Sequence, residues 1–182
     1  FLQNHLYLDI CKCVSSMTIF EENIIQPGVS EDLDTLLKNV KDNNELFDYI
    51  HKLLNDVIRS EDKTDKPIEY VKIHNTEKSG ASLQITKKRG LLLKSYIQKH
   101  LDENIPKLNT SWKEIKLTNA SNNSDEIEFP LLTKICRDLL HQKDYMNKLV
   151  SKSYQDILES LENQYYEYLE QIAEYVSKVD VL

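Results

Sequence analysis

The sequence predicts an α+β fold in which long antiparallel helices carry a small mixed, β-rich domain at their tip. Three observations lead there. Between Leu131 and Val179, apolar or aromatic residues recur at mostly alternating steps of three and four: Leu132, Ile135, Leu139, Met146, Leu149, Ile157, Leu161, Tyr165, Tyr168, Ile172, Tyr175 and Val179. That is one stripe on one helix. A second stripe, Leu33, Leu36, Leu37, Val40, Phe47, Ile50, Leu54 and Val57, marks a shorter helix. Between the two, from Ile68 onward, the period falls from helical spacing to strict alternation, the pattern of strands. At about 1.5 Å per residue the long helix would span roughly 72 Å and the shorter one about 42 Å. Helices of that length need a packing partner, and each arm is expected to supply the other's.

Residues 1–19 place Leu2, Leu6, Ile10, Cys13, Val14 and Met17 at helical spacing, which predicts a short helix packed on the arms. Pro27 and Gly28 turn the chain, and Ser30 then offers an N-cap oxygen to the first arm. Asp32 and Asp34 suit the positive end of that helix. The arm runs to about Arg59 and leaves through a charged stretch closed by Pro67, which bars helix continuation. Ile68, Tyr70 or Val71, and Ile73 form one expected strand. Ala81, Leu83 and Ile85 form the next, with a Gly80-containing hairpin loop between them. Leu91 to Leu101 reads as a short amphipathic helix before Pro106, Trp112 to Thr118 as a third strand, and Glu126 to Phe129 as a fourth. Pro130 sits where a helix can begin with proline at its first position, because no donor is lost there.

Composition narrows the function. Gly28, Gly80 and Gly90 are the only glycines, too few and too scattered for a phosphate-cradling loop. The net charge of −7 hides a segregation: residues 66–129 carry eleven Lys/Arg against eight Asp/Glu, and the remainder twelve against twenty-two. The middle would attract an anion and the arms repel it. Cys11, Cys13 and Cys136 give an odd count with no paired framework, so buried, inert thiols in a reducing intracellular compartment are expected, with no metal. No membrane-spanning run or secretory leader is expected, and the Asn-x-Ser/Thr triplets at Asn109, Asn119 and Asn122 read as chance in an Asn-rich chain. The five histidines are scattered, and no nucleophile, base or metal set stands at a useful spacing. This chain is expected not to be an enzyme by itself and to hold no cofactor.

The middle segment is chemically more suggestive. Lys87, Lys88 and Arg89 follow the second strand, Lys113 and Lys116 lie on the third, and Thr118, Asn119 and Asn122 add short hydrogen-bonding side chains. Lysines mixed with amides and hydroxyls suit phosphate oxygens, which give affinity and position without sequence information. A bland reading competes, in which the lysines protect a strand edge and the Asn/Ser stretch is only a turn.

Four stretches carry a family resemblance. The approach to the first arm places Ile25, Gly28, Asp32, Leu33, Asp34 and Leu36 where the MutS DNA mismatch-repair family has I-x-x-G-x-x-x-E-L-D-x-L before its first lever helix. Val71, Lys72, Asn75, Gly80, Leu83 and Ile85 are similar to the family's clamp hairpin. KLTNASNNSDEIEFPLLTKI resembles the clamp's return strand, and SKVDVL the exit from the second lever. The resemblance covers about residues 20–182. It implies residues 1–65 as first lever and core helices, 66–129 as the clamp, and 130–182 as the second lever. It also implies contact with the backbone of double-stranded DNA, with Lys116, Thr118 and Asn119 foremost. ATP and Mg2+ would belong to a larger parent protein, a homo- or heterodimeric ATPase of DNA repair. The chain departs from the family pattern in a longer 90–111 insert and in Ala81-Ser82, where paired aromatics are common.

The competing reading is a helical, coiled-coil interaction or scaffold module. The arm surface distinguishes the two: an apolar strip left uncovered favours the module, a fully occupied seam with charge only at the tip favours DNA. Glu159, Glu162, Glu167, Glu170 and Glu174 are the acidic arm residues to watch.

Overall fold

The computed structural model describes residues 1–14, 19–20, 22–62 and 68–179. It is a mixed α+β chain with a long C-terminal helix and one small antiparallel sheet. The elements are α1 (Leu2–His5), α2 (Leu8–Cys11), α3 (Glu31–Asp62), β1 (Val71–Thr76), β2 (Gly80–Thr86), α4 (Lys87–Lys99), β3 (Lys116–Asn119), β4 (Ser124–Glu128) and α5 (Pro130–Val179). The chain folds as two compact units, one of Phe1–Lys38 with Lys143–Leu182 and one of Asn39–Gln142.

In the Asn39–Gln142 unit the four strands stand in the order β1-β2-β4-β3, all antiparallel. Val71 pairs with Ile85, Ile85 with Asp125, and Asp125 with Asn119, so alternation puts Val71, Leu83, Ile85, Leu117 and Ile127 on one face. Of these, all but the partly buried Leu117 are fully enclosed. They pack in one core with Ile50, Leu54 and Ile58 of α3, Leu93 and Ile97 of α4, Trp112, and Leu132 and Ile135 of α5. The β1–β2 turn is closed by Gly80 at φ 72°, the left-handed residue that ends a three-residue hairpin loop. A Cβ there would also stand 3.2 Å from the Leu140 Cβ.

Asn55 fastens α3 to β1. Its Oδ1 accepts from the Tyr70 and Val71 amides at 2.7 and 3.0 Å, and its Nδ2 donates to the His51 carbonyl at 2.9 Å. His51 Nε2 lies 2.8 Å from the Val71 carbonyl, a bond made by its Nε2–H tautomer. Asn55 is buried, so these bonds are shielded from water.

In the other unit, Leu6, Phe20, Ile24, Ile25, Leu33, Val150 and Ile157 form the core. Ser30 is placed as the N-cap of α3, with its hydroxyl 3.4 Å from the Leu33 amide, and Asp34 accepts from the Gly28 amide at 2.7 Å. The Asn147 side chain accepts from the Phe20 amide at 3.0 Å.

Several expectations are corrected. Residues 1–14 make two four-residue helices rather than one, because Leu6 leaves the helix to bridge Ile25, with Tyr7 N donating to Ile24 O and Gln26 N to His5 O. Lys87–Arg89 directly follow the second strand as expected, but as the first turn of α4, which therefore begins at Lys87 rather than at Leu91 and ends at Lys99. Residues 112–114 form a 3-10 turn instead of strand, held by a reciprocal cap in which Glu114 Oε1 accepts from the Ser111 amide at 3.1 Å. The fourth strand starts earlier, at Ser124. Of the thiols, Cys13 is exposed and the other two only partly buried. Pro130 does open α5. Met17, the exit at 63–67 and the residues after Val179 lie outside the described residues.

Candidate nucleic-acid interface

All eight residues singled out by the sequence fall in the Asn39–Gln142 unit, but they divide into groups with different surroundings. Lys87 and Lys88 are exposed on the first turn of α4. The Lys87 amide donates to the Asn123 carbonyl at 3.1 Å, which ties this basic turn to the β3–β4 hairpin. That hairpin is internally braced: Ala120 N and Ser121 N donate to Ser124 O, and Ser121 Oγ accepts from the Ser124 amide at 3.1 Å. Asn119 and Asn122 are exposed there. The fold thus brings Lys87, Lys88, Asn119 and Asn122 to one end of the sheet.

Helix α4 reinforces the positive character of this end. Its first turn contains no carboxylate, and Thr86 at the N-cap makes no side-chain bond to it, so the positive pole of the helix lacks an internal counter-charge in that turn. Asp125 is the nearby acid: its Oδ2 would lie 3.4 Å from a Cβ on Gly90, one turn further along. Helix α4 packs against the sheet here, where the same Cβ would touch Leu117 at 3.4 Å.

Arg89 turns elsewhere. Its guanidinium lies over the Tyr70 ring at 4.7 Å and donates to the Glu69 carbonyl at 3.3 Å, so it braces the start of β1.

Lys116 and Thr118 lie on the outer face of β3, opposite Glu128 and Glu126. Thr118 Oγ1 donates to Glu128 Oε1 at 2.9 Å, which occupies its hydroxyl proton. Lys113 is exposed on the 3-10 turn. The sheet's outer face also carries Lys72 and His74, which sequence reasoning did not select; the register sets Lys72 beside Gln84 and Gln84 beside Glu126. Alternation alone gives each strand two faces, and only the pairing reveals that Lys72 and Lys116 share one. That face mixes both signs, whereas the end of the sheet at Lys87 is more one-sided.

Burial first, and the Glu126 carboxylate second, push the Cys136 thiol above its ordinary range. Among the described residues no group of three or more His, Cys, Asp or Glu side chains is placed to hold a metal ion, and no helix is long and apolar enough to cross a membrane. No protein-family model matches the chain, and no curated protein matches it.

Proposed function

We propose that the Asn39–Gln142 unit grips the sugar-phosphate backbone of duplex DNA without reading its sequence, as the clamp end of a MutS-like lever-and-clamp region. The observation that carries the reading is the bond from the Lys87 amide to the Asn123 carbonyl, which unites two exposed lysines, a helix N-terminus and an amide-rich hairpin. Charge supports it as well. The Asn39–Gln142 unit holds seventeen Lys/Arg against sixteen Asp/Glu, and the rest of the chain six against fourteen. The reading moves the weight of the contact from the return strand, where Thr118 and Glu128 are bonded to each other, to Lys87 and Lys88. ATP and Mg2+ chemistry would sit in another domain of a dimeric parent protein, because Gly28, Gly80 and Gly90 stand in no phosphate loop.

The test compares the parent chain with Lys87→Glu/Lys88→Glu on unrelated duplexes at low salt. The expected result is a similar loss of affinity on every sequence, since phosphate contacts carry no base information. Parent-like binding by the double variant would refute the assignment.

A second reading, a helical protein-interaction module, has its own observation. On α5 the positions Tyr168, Ile172 and Tyr175 are 65, 58 and 70% exposed, so the apolar strip is uncovered toward the end of the helix. This is the strip that distinguishes an interaction arm from a fully occupied seam. The two readings concern different units and are compatible in one protein.

A further inference from the structure

We infer that the last part of α5, Leu158 to Val179, is a self-association surface whose occupant is the same segment of a second copy of this chain, paired antiparallel; this rests on the interaction-module reading. Earlier in the same stripe Val150 and Ile157 are 0 and 4% exposed, enclosed in a core with Phe20, Ile24, Ile25 and Leu33. From Tyr165 the spacing continues unbroken and the cover is lost, apart from the Phe1 ring at 5.5 Å from that of Tyr165. Leu169 and Val176 widen the strip on one side. At roughly 200 Å2 for each fully exposed large side chain, the exposures along this segment amount to about 800 Å2, which is what one partner buries in a standard interface. A typical monomer's largest apolar patch is only about 300–600 Å2.

The border of the strip identifies the occupant. Segment 158–179 carries five glutamates and one lysine, which would ordinarily oppose self-pairing. At about 100° per residue, however, Glu167, Glu170 and Glu174 fall on the back of the helix. Gln164 and Gln171 line one margin, and Glu162, Ala173 and Tyr166 the other. A second copy therefore brings a single margin carboxylate, Glu162, which antiparallel pairing holds well away from its own copy, whereas a Lys/Arg-edged helix finds only that one carboxylate beside it. Antiparallel pairing sets Tyr175 against Leu158 of the second copy and Ile172 against its Leu161, so only the central layers, Tyr165 with Tyr168, are aromatic on both sides. It also places Gln164 beside Gln171 of the other copy, where the two amides can bond. Parallel pairing would stack each tyrosine on itself.

Sedimentation equilibrium of the 182-residue chain tests this. The expected result is a reversible monomer–dimer equilibrium, weakened at least a hundredfold, about 2.7 kcal/mol, by Ile172→Asp. Ile172 is exposed, so the variant should keep its far-UV circular dichroism. Glu170→Lys, on the back of the helix, should leave the equilibrium unchanged. A parent chain that stays monomeric at high micromolar concentration overturns the inference, as does a dimer indifferent to Ile172→Asp. Hydroxyl-radical labelling separates the two levels of the argument. If the monomer shows Tyr168 and Tyr175 reactive, only the self-partner is lost; if it shows them protected, the interaction-module reading falls too.

Discussion

Replacing Asn55 by leucine should release β1 from α3 and destabilise the sheet that carries the candidate DNA contacts. The magnitude follows from the carboxamide's partners. Its Oδ1 serves the Tyr70 and Val71 amides at 2.7 and 3.0 Å, and both residues are essentially inaccessible to water. A leucine side chain fits a similar volume but accepts nothing, and each buried donor left unpaired costs about 1–3 kcal/mol. Two orphaned amides predict a loss of about 4 kcal/mol, a large share of the stability of an ordinary domain. Trp112 is the chain's single tryptophan and is buried in the same unit, so its fluorescence reports this unit directly. With a urea slope of about 2 kcal/mol per molar, the midpoint should fall by about 2 M. Asn55→Asp keeps both acceptor bonds but sets a buried carboxylate oxygen against the His51 and Val71 carbonyls in place of the amide donor, so it too should be destabilising at neutral pH. A leucine variant within about 0.5 kcal/mol of the parent would refute the pinning role.

Other perturbations probe the surroundings of the site. Gly80→Ala combines a left-handed φ of 72° with a 3.2 Å approach to Leu140, and should cost about 1–3 kcal/mol in the same urea assay. Thr118→Val removes an exposed hydroxyl already bonded to Glu128; it should cost under about 1 kcal/mol and leave DNA affinity unchanged. Cys13 should react first with a thiol-directed chromogenic reagent, being exposed, and Cys136 most slowly because burial and Glu126 hold it protonated. Since the folded Cys136 pKa is raised, its contribution to stability is complete below the ordinary thiol pKa and declines as pH rises through the folded value. Urea midpoints of Cys136→Ala and the parent should therefore converge on the alkaline side.

Local signals carried much of the fold. Pro130, lacking an amide proton, announces the start of α5, and Gly80 closes the hairpin that alternation on both sides implies. What escaped was decided at a distance. Nothing near Leu6 says that its backbone will bridge Ile25, and the helical spacing of residues 1–19 therefore misleads. Trp112 to Thr118 alternates like a strand, yet the Ser111–Glu114 cap captures its first three residues. The site was legible as residue types but not as an arrangement. Lys116 and Thr118 looked like free phosphate ligands until pairing put Glu126 and Glu128 opposite them, and Lys87 acquired its hairpin partner only through the Asn123 carbonyl. Periodicity also cannot report whether a stripe is covered: Ile157 and Ile172 are the same residue type on one stripe, one enclosed and one bare.

The backbone-grip account is tested most directly by the salt dependence of duplex binding. The account predicts a log affinity that falls linearly with log salt for the parent, and a slope lower by about 1.8 in Lys87→Glu/Lys88→Glu, because two phosphate contacts are lost at about 0.9 each. Identical slopes for parent and variant would contradict it.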